Sequence, residues 1–219
     1  MDIRERLLEL EDEPYKKFSA KLTKTKYPLI GIRIPLLKKI AKELKDENLC
    51  FDKAIYFEEV MLEGLLIGHY NNINIVIEKL KVFINKIDDW SVCDSCCANL
   101  KITKKHKEKM WKFITSFKDS NREFEVRFMI VMMMGYYLEE EYISDIFKII
   151  DNIKCDLYYA NMAISWLLAT SLVKLEMKTL EYLYNCNLSN FIFNKTISKA
   201  CESYRVKDEL KKKLKKMKK

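Results

Sequence analysis

All three prolines, Pro14, Pro28 and Pro35, fall in the first 35 residues of this 219-residue chain, and residues 36–219 contain none. Only four glycines join them as residues that break regular structure. A β-sandwich or barrel needs turn chemistry every few residues, so this scarcity argues against one and for long uninterrupted helices. Apolar residues recur with a period near 3.6 through almost every window, as in Ala54, Tyr56, Phe57, Val60, Met61, Leu65 and in Met162, Ile164, Trp166, Leu167. They make up 49% of the chain, enough to bury a sizeable core. Short polar clusters rather than long loops mark the breaks, at residues 45–48, 71–72, 101–104, 118–122, 139–141 and 185–187. The pattern predicts about a dozen helices.

The more apolar helices are expected to start near Phe51, Asp88, Arg122, Asp156 and Ser189, at spacings of 37, 34, 34 and 33 residues. Such spacing suits two-helix repeats. Sequence identity between the units is poor, so this reading rests on helix length and spacing. It predicts an all-α single domain over residues 1–219, an α-solenoid of two-helix repeats, with an irregular helical bundle as the alternative. In a solenoid the equivalent helices line one concave face, and residues one repeat apart become neighbours.

Seven cysteines, Cys50, Cys93, Cys96, Cys97, Cys155, Cys186 and Cys201, form an odd set without a secreted framework, which fits a reducing cytoplasm. The charged start MDIRERLLELEDEP has no signal-type apolar core, and the longest apolar runs are too short to span a bilayer. A cytosolic protein is expected. The net charge is +8, but residues 207–219 hold eight Lys against two acids and leave the rest at only +2. The tail reads as a solvated, lysine-rich helix end, with a phosphate-binding arm as the alternative. Only two histidines are present, His69 and His106. No nucleophile elbow, phosphate loop, dinucleotide fingerprint or zincin motif occurs, so nucleotide-driven chemistry is not expected. Cys93 and Cys96 share a helix face in CDSCC, yet no second ligand pair accompanies them, and buried thiols packing a helix are the plainer reading.

The stretch Asp88-Asp89-Trp90-Ser91-Val92-Cys93-Asp94 carries more information. Trp90 and Asp94 stand i, i+4, so an aromatic plane flanks a carboxylate on one helix face. Arg127 follows 33 residues after Asp94 among apolar neighbours, where a guanidinium needs an acidic partner or a phosphate. Trp166, 39 residues further on, offers a second aromatic wall. Core tryptophans and an interhelical Asp94–Arg127 salt bridge are the bland alternative.

Ordered blocks along the chain resemble the DNA alkylation repair glycosylases with HEAT-like repeats (AlkD-type): YPLIGIRIPLLKKIAKEL, FEEVMLEGLLIGH, WSVCDS, EFEVRFMIVMM, MAISWLLA and NKTISKACESYRV. The resemblance implies a cleft against the DNA backbone in which Trp90, Asp94 and Trp166 match the family's tryptophan, aspartate and second tryptophan. It implies excision of N3- or N7-alkylated purines from duplex DNA. Asp94 would stabilise an oxocarbenium-like sugar and orient water, and Trp90 and Trp166 would add cation–π stabilisation of ~1–2 kcal/mol each. Arg127 matches an arginine near the catalytic aspartate that steadies the carboxylate or a phosphate. No cofactor, metal or membrane is implied, and a monomer is expected. Candidate phosphate contacts are Lys101, Lys104, Lys105, Lys107 and Lys109 after the Trp-Asp helix, Arg33, Lys38 and Lys39 in the first repeat, and Lys195, Lys199 and Arg205 in the last block. One departure stands out: the family often has an arginine three residues after the second tryptophan, and here that position is Ala169. Two other readings stay open, a non-catalytic module recognising damaged or branched DNA and a protein–protein scaffold.

Overall fold

In the computed structural model of the protein, which describes residues 2–47, 49 and 51–219, every regular element is helical. Asn48, in the first expected break, and Cys50 lie outside the described residues. Thirteen α-helices are found among the described residues, most joined by short turns but with longer connections at 20–33 and 44–56, and the chain divides into two compact units, 1–110 and 111–219. No helix among the described residues is long and apolar enough to cross a membrane.

The first unit contains α1 (Ile3–Leu8), α2 (Glu13–Ser19), α3 (Ile34–Glu43), α4 (Phe57–Ile67), α5 (Ile73–Phe83) and α6 (Trp90–Asn99). Its centre is α4, whose side chains are buried on nearly every face and which packs against α3, α5 and α6. By contrast α5 buries one stripe, Ile73, Val76, Ile77, Leu80 and Phe83, at the spacing of a helix covered on one side. Gly64 on α4 permits the close approach: a Cβ there would stand 2.5 Å from Phe83 Cζ and 3.3 Å from Cys96 Cβ.

The unit boundary falls within α7 (Lys107–Ile114). The second unit continues with α8 (Glu123–Tyr136), α9 (Ile143–Asn152), α10 (Tyr158–Lys174), α11 (Glu176–Asn185), α12 (Asn190–Glu202) and α13 (Asp208–Lys215). Here α10 packs between α8 and α12, and both α8 and α10 are buried on most faces. Between them in sequence come α9 and α11, which bury single stripes such as Ile143, Ile146, Phe147 and Ile150. Buried helices stacked in series, alternating with amphipathic ones, are the arrangement of a two-helix repeat. The all-α helical-repeat class expected from the sequence therefore holds.

The buried helices begin at 57, 90, 123, 158 and 190, at spacings of 33, 33, 35 and 32. Four of the five expected starts lie within two residues of these. The first does not, because α4 starts at Phe57 rather than near Phe51. The Glu59 carboxylate accepts the N–H groups of Ile55 and Tyr56 at 2.7 and 2.8 Å and so fixes the start one turn into the helix. The C-terminal lysine-rich segment contains α13, which buries Leu210 and Leu214 and exposes most of its lysines.

Candidate functional site

Two neighbouring acids determine how Trp90 leaves the surface. Asp89 is the N-cap of α6 and is fully buried; it accepts Ser91 N–H at 2.8 Å, the Ser91 hydroxyl at 2.5 Å and Lys24 N–H at 3.2 Å. Asp88 accepts the Thr25 hydroxyl and Lys26 N–H, both at 2.8 Å. Trp90 is thereby set in the first turn of α6 with 39% of its surface exposed, and Asp94 follows one turn later, half-buried. An exposed indole one helical turn from a carboxylate offers a ring face and a negative charge, both of which attract a cation. The opposite face of α6 carries Val92, Cys93, Cys96 and Cys97, all buried. Burial pushes the Cys96 and Cys97 thiols well up from their ordinary range, so both stay protonated and unreactive near neutral pH. No cluster of three or more His, Cys, Asp or Glu suited to a metal ion occurs among the described residues.

In the second unit, α8 holds the start of α10 at Tyr159. Glu123 Oε1 accepts Tyr159 N–H at 2.5 Å, and Arg127 Nη1 donates to the Tyr159 carbonyl at 2.9 Å. Arg127 is only 5% exposed and faces the Tyr159 ring at 5.9 Å. Its guanidinium thereby ties α8 to the start of α10. Trp166 projects from α10 with 43% of its surface exposed, although most of the rest of that helix is buried. It borders a depression of ≈ 520 Å³ whose lining includes Gly135, Ala169, Thr170, Tyr204 and Arg205. The third tryptophan, Trp111, packs instead against Tyr137 and Tyr142, at 5.0 Å from each ring.

The candidate phosphate contacts are mostly on the surface. Lys101, Lys104 and Lys105 are exposed on the 3₁₀ turn after α6, and Lys38 and Lys39 are exposed on α3. Lys109 donates to Asn74, and Lys107 is half-buried. Arg33 lies over the Tyr15 ring at 4.5 Å and pairs with Asp12 at 3.4 Å. Lys195 lies 6.0 Å from the Phe191 ring, Lys199 pairs with Glu202 at 2.8 Å, and Arg205 stands 5.7 Å from the Tyr204 ring.

The profile of a family described as DNA alkylation repair enzyme matches residues 3–171. The chain belongs to that family. Among curated proteins, none matches it. The part of this DNA alkylation repair enzyme that the family covers includes Trp90, Asp94, Arg127, Trp166 and Ala169, together with Arg33, Lys38 and the lysines after α6. It stops before α11, α12 and α13, and so before Lys195, Lys199 and Arg205.

Sequence reasoning missed three features of this enzyme. The acids that hold residues 24–26 could be read as a helix start, but nothing local shows that their second partner lies some sixty residues away. The grip of Glu123 and Arg127 on Tyr159 was half legible, as an acid and a base at i, i+4. Gly135 and Tyr204 carry no motif at all.

Proposed function

We propose that this DNA alkylation repair enzyme is an N-glycosylase that removes positively charged N3- or N7-alkylated purines from duplex DNA. The observation that carries the reading is the pairing of Trp90, exposed, with Asp94 one turn further along the same helix. Alkylation at purine N7 or N3 makes the base cationic and a good leaving group. The C1′–N9 bond then breaks with its electron pair passing to the base, and the sugar becomes cationic. Asp94 stabilises that cation and orients the water whose oxygen bonds to C1′ and whose proton is released. Little acid catalysis is required, which suits a chain with two histidines.

Repair by alkyl transfer to a thiol fits less well. An acceptor cysteine must be an accessible thiolate, whereas Cys93, Cys96, Cys97 and Cys155 are buried, and of the partly exposed Cys186 and Cys201 the first has its thiol pushed up by burial. Trp166 and the depression beside it are assigned to contact with DNA, and Lys101, Lys104, Lys105, Arg33 and Lys38 to its phosphates. Arg127 acts as a positioning residue, through the start of the helix that presents Trp166.

Single-turnover formation of abasic sites in duplex DNA methylated at purine N7 tests the proposal, with wild type compared to Asp94→Asn. The expected result is a rate at least ~10-fold lower in the variant with DNA affinity retained. DNA binding without abasic sites in the wild type would replace the enzyme by a recognition module, and absence of both would leave a scaffold.

A further inference from the structure

Between Glu13 and Glu43 the chain carries nine lysines and arginines and no acid. The body of the protein has almost no net charge once the tail is set aside, so this acid-free segment is its most polarised stretch. In the middle of it, residues 24–32 are held by three carboxylates from elsewhere in the same unit, and all three act on the backbone or a hydroxyl. Glu58 of α4, 2% exposed, accepts the N–H groups of Ile30, Gly31 and Ile32 at 2.8, 2.7 and 3.2 Å. Asp89 takes Lys24 N–H, and Asp88 takes Lys26 N–H and the Thr25 hydroxyl. Gly31, at φ +99°, lets the chain turn where a Cβ would meet the Asp12 carbonyl at 2.6 Å.

This division of labour is chemically unusual. A buried carboxylate beside a lysine-rich loop would ordinarily take an ammonium as its partner. Here the carboxylates are used on the main chain, and the ammonium groups of Lys21, Lys24 and Lys26 are left on the surface without an ion pair among the described residues; Lys26 merely lies 5.1 Å from the Tyr27 ring. The loop is pinned, its cations are not neutralised, and its anchors, Asp88 and Asp89, directly precede Trp90.

We propose that Lys21, Lys24 and Lys26 form a phosphate-binding edge for the DNA backbone, which Asp88 and Asp89 hold in fixed register with Trp90 and Asp94. The proposal rests on the reading of this enzyme as one that acts on DNA and adds a site to it. Cations on a tethered loop lose less conformational freedom on binding than cations on a free arm. Their contacts are to phosphate, so they raise affinity for damaged and undamaged duplex alike.

Two variants test this, with affinity for an undamaged duplex measured across a range of salt concentrations. Each phosphate contact contributes about 0.9 to the slope of log affinity against log salt. The Lys24→Gln/Lys26→Gln variant is expected to lower the slope by about two at unchanged melting temperature. Asp88→Ala removes a negative charge from the protein, yet is expected to weaken binding several-fold because it releases the loop. An unchanged slope in the first variant, or tighter binding in the second, overturns the proposal. A wild type whose affinity does not depend on salt would instead sink the DNA reading itself.

Discussion

Glu58 and Asp94 are carboxylates one repeat apart on buried helices, and the fold uses them in opposite ways. Glu58 is sealed in the interior with three backbone N–H groups as donors, so its removal leaves all three unsatisfied. Glu58→Ala is expected to cost roughly 3 kcal/mol or more in urea denaturation, at about 1–3 kcal/mol for each orphaned buried donor. Asp94 stays half-exposed one turn from an exposed indole. The tryptophans extend the contrast. Trp111 is packed among tyrosine rings, whereas Trp90 and Trp166 keep about two-fifths of their surface exposed. Trp90→Ala and Trp166→Ala should each slow base release roughly tenfold, the size of one desolvated cation–π interaction, and destabilise the protein less than Trp111→Ala. Loss of stability with unchanged turnover would return them to the core. The sequence placed Trp90 and Asp94 on one face because helical periodicity is local. It could not show whether either tryptophan is buried, since the same apolar spacing describes a core residue and one that projects from the core.

Along a single helix, the glycines make the packing testable. A Cβ on Gly135 would meet nothing within 4 Å, whereas one on Gly64 would collide with Phe83. Gly135→Ala should therefore stabilise the protein by roughly 0.5–1 kcal/mol, the helix-propensity difference. Gly64→Ala should destabilise it by about 1–3 kcal/mol through overpacking. Because Gly135 lines the depression beside Trp166, a stabilised Gly135→Ala that binds DNA less well would also place that depression in the interface. On α6 the buried thiols make a further prediction: Cys93, Cys96 and Cys97 should resist a thiol-labelling reagent at pH 7.5 in the folded protein and react once urea unfolds it. Fast labelling of the folded protein would contradict the packing of α6 against α4. Helix existence and repeat spacing were legible here because polar clusters interrupt a strong 3.6-residue period. The start of α4 was not, because Phe51 continues the apolar pattern, and the boundary is set by where the Glu59 carboxylate reaches back.

For the molecule as a whole, the net charge of +8 suggested a polyanion partner only ambiguously, because most of it sits in the tail. What the fold adds is the use of charge. Carboxylates far away in sequence bind the backbone of the acid-free segment and leave its lysines outside, a pairing across 26–65 residues that no local pattern announces. The family match over residues 3–171 gives DNA alkylation repair, and the remaining question is which bond is broken. The direct test is to incubate the wild-type protein with a duplex carrying one N7-methylguanine and to weigh the products. The account predicts free 7-methylguanine together with a strand that has lost one base and kept its sugar-phosphate backbone. A strand with guanine restored and the methyl group gone, or one left unchanged after binding, would contradict it.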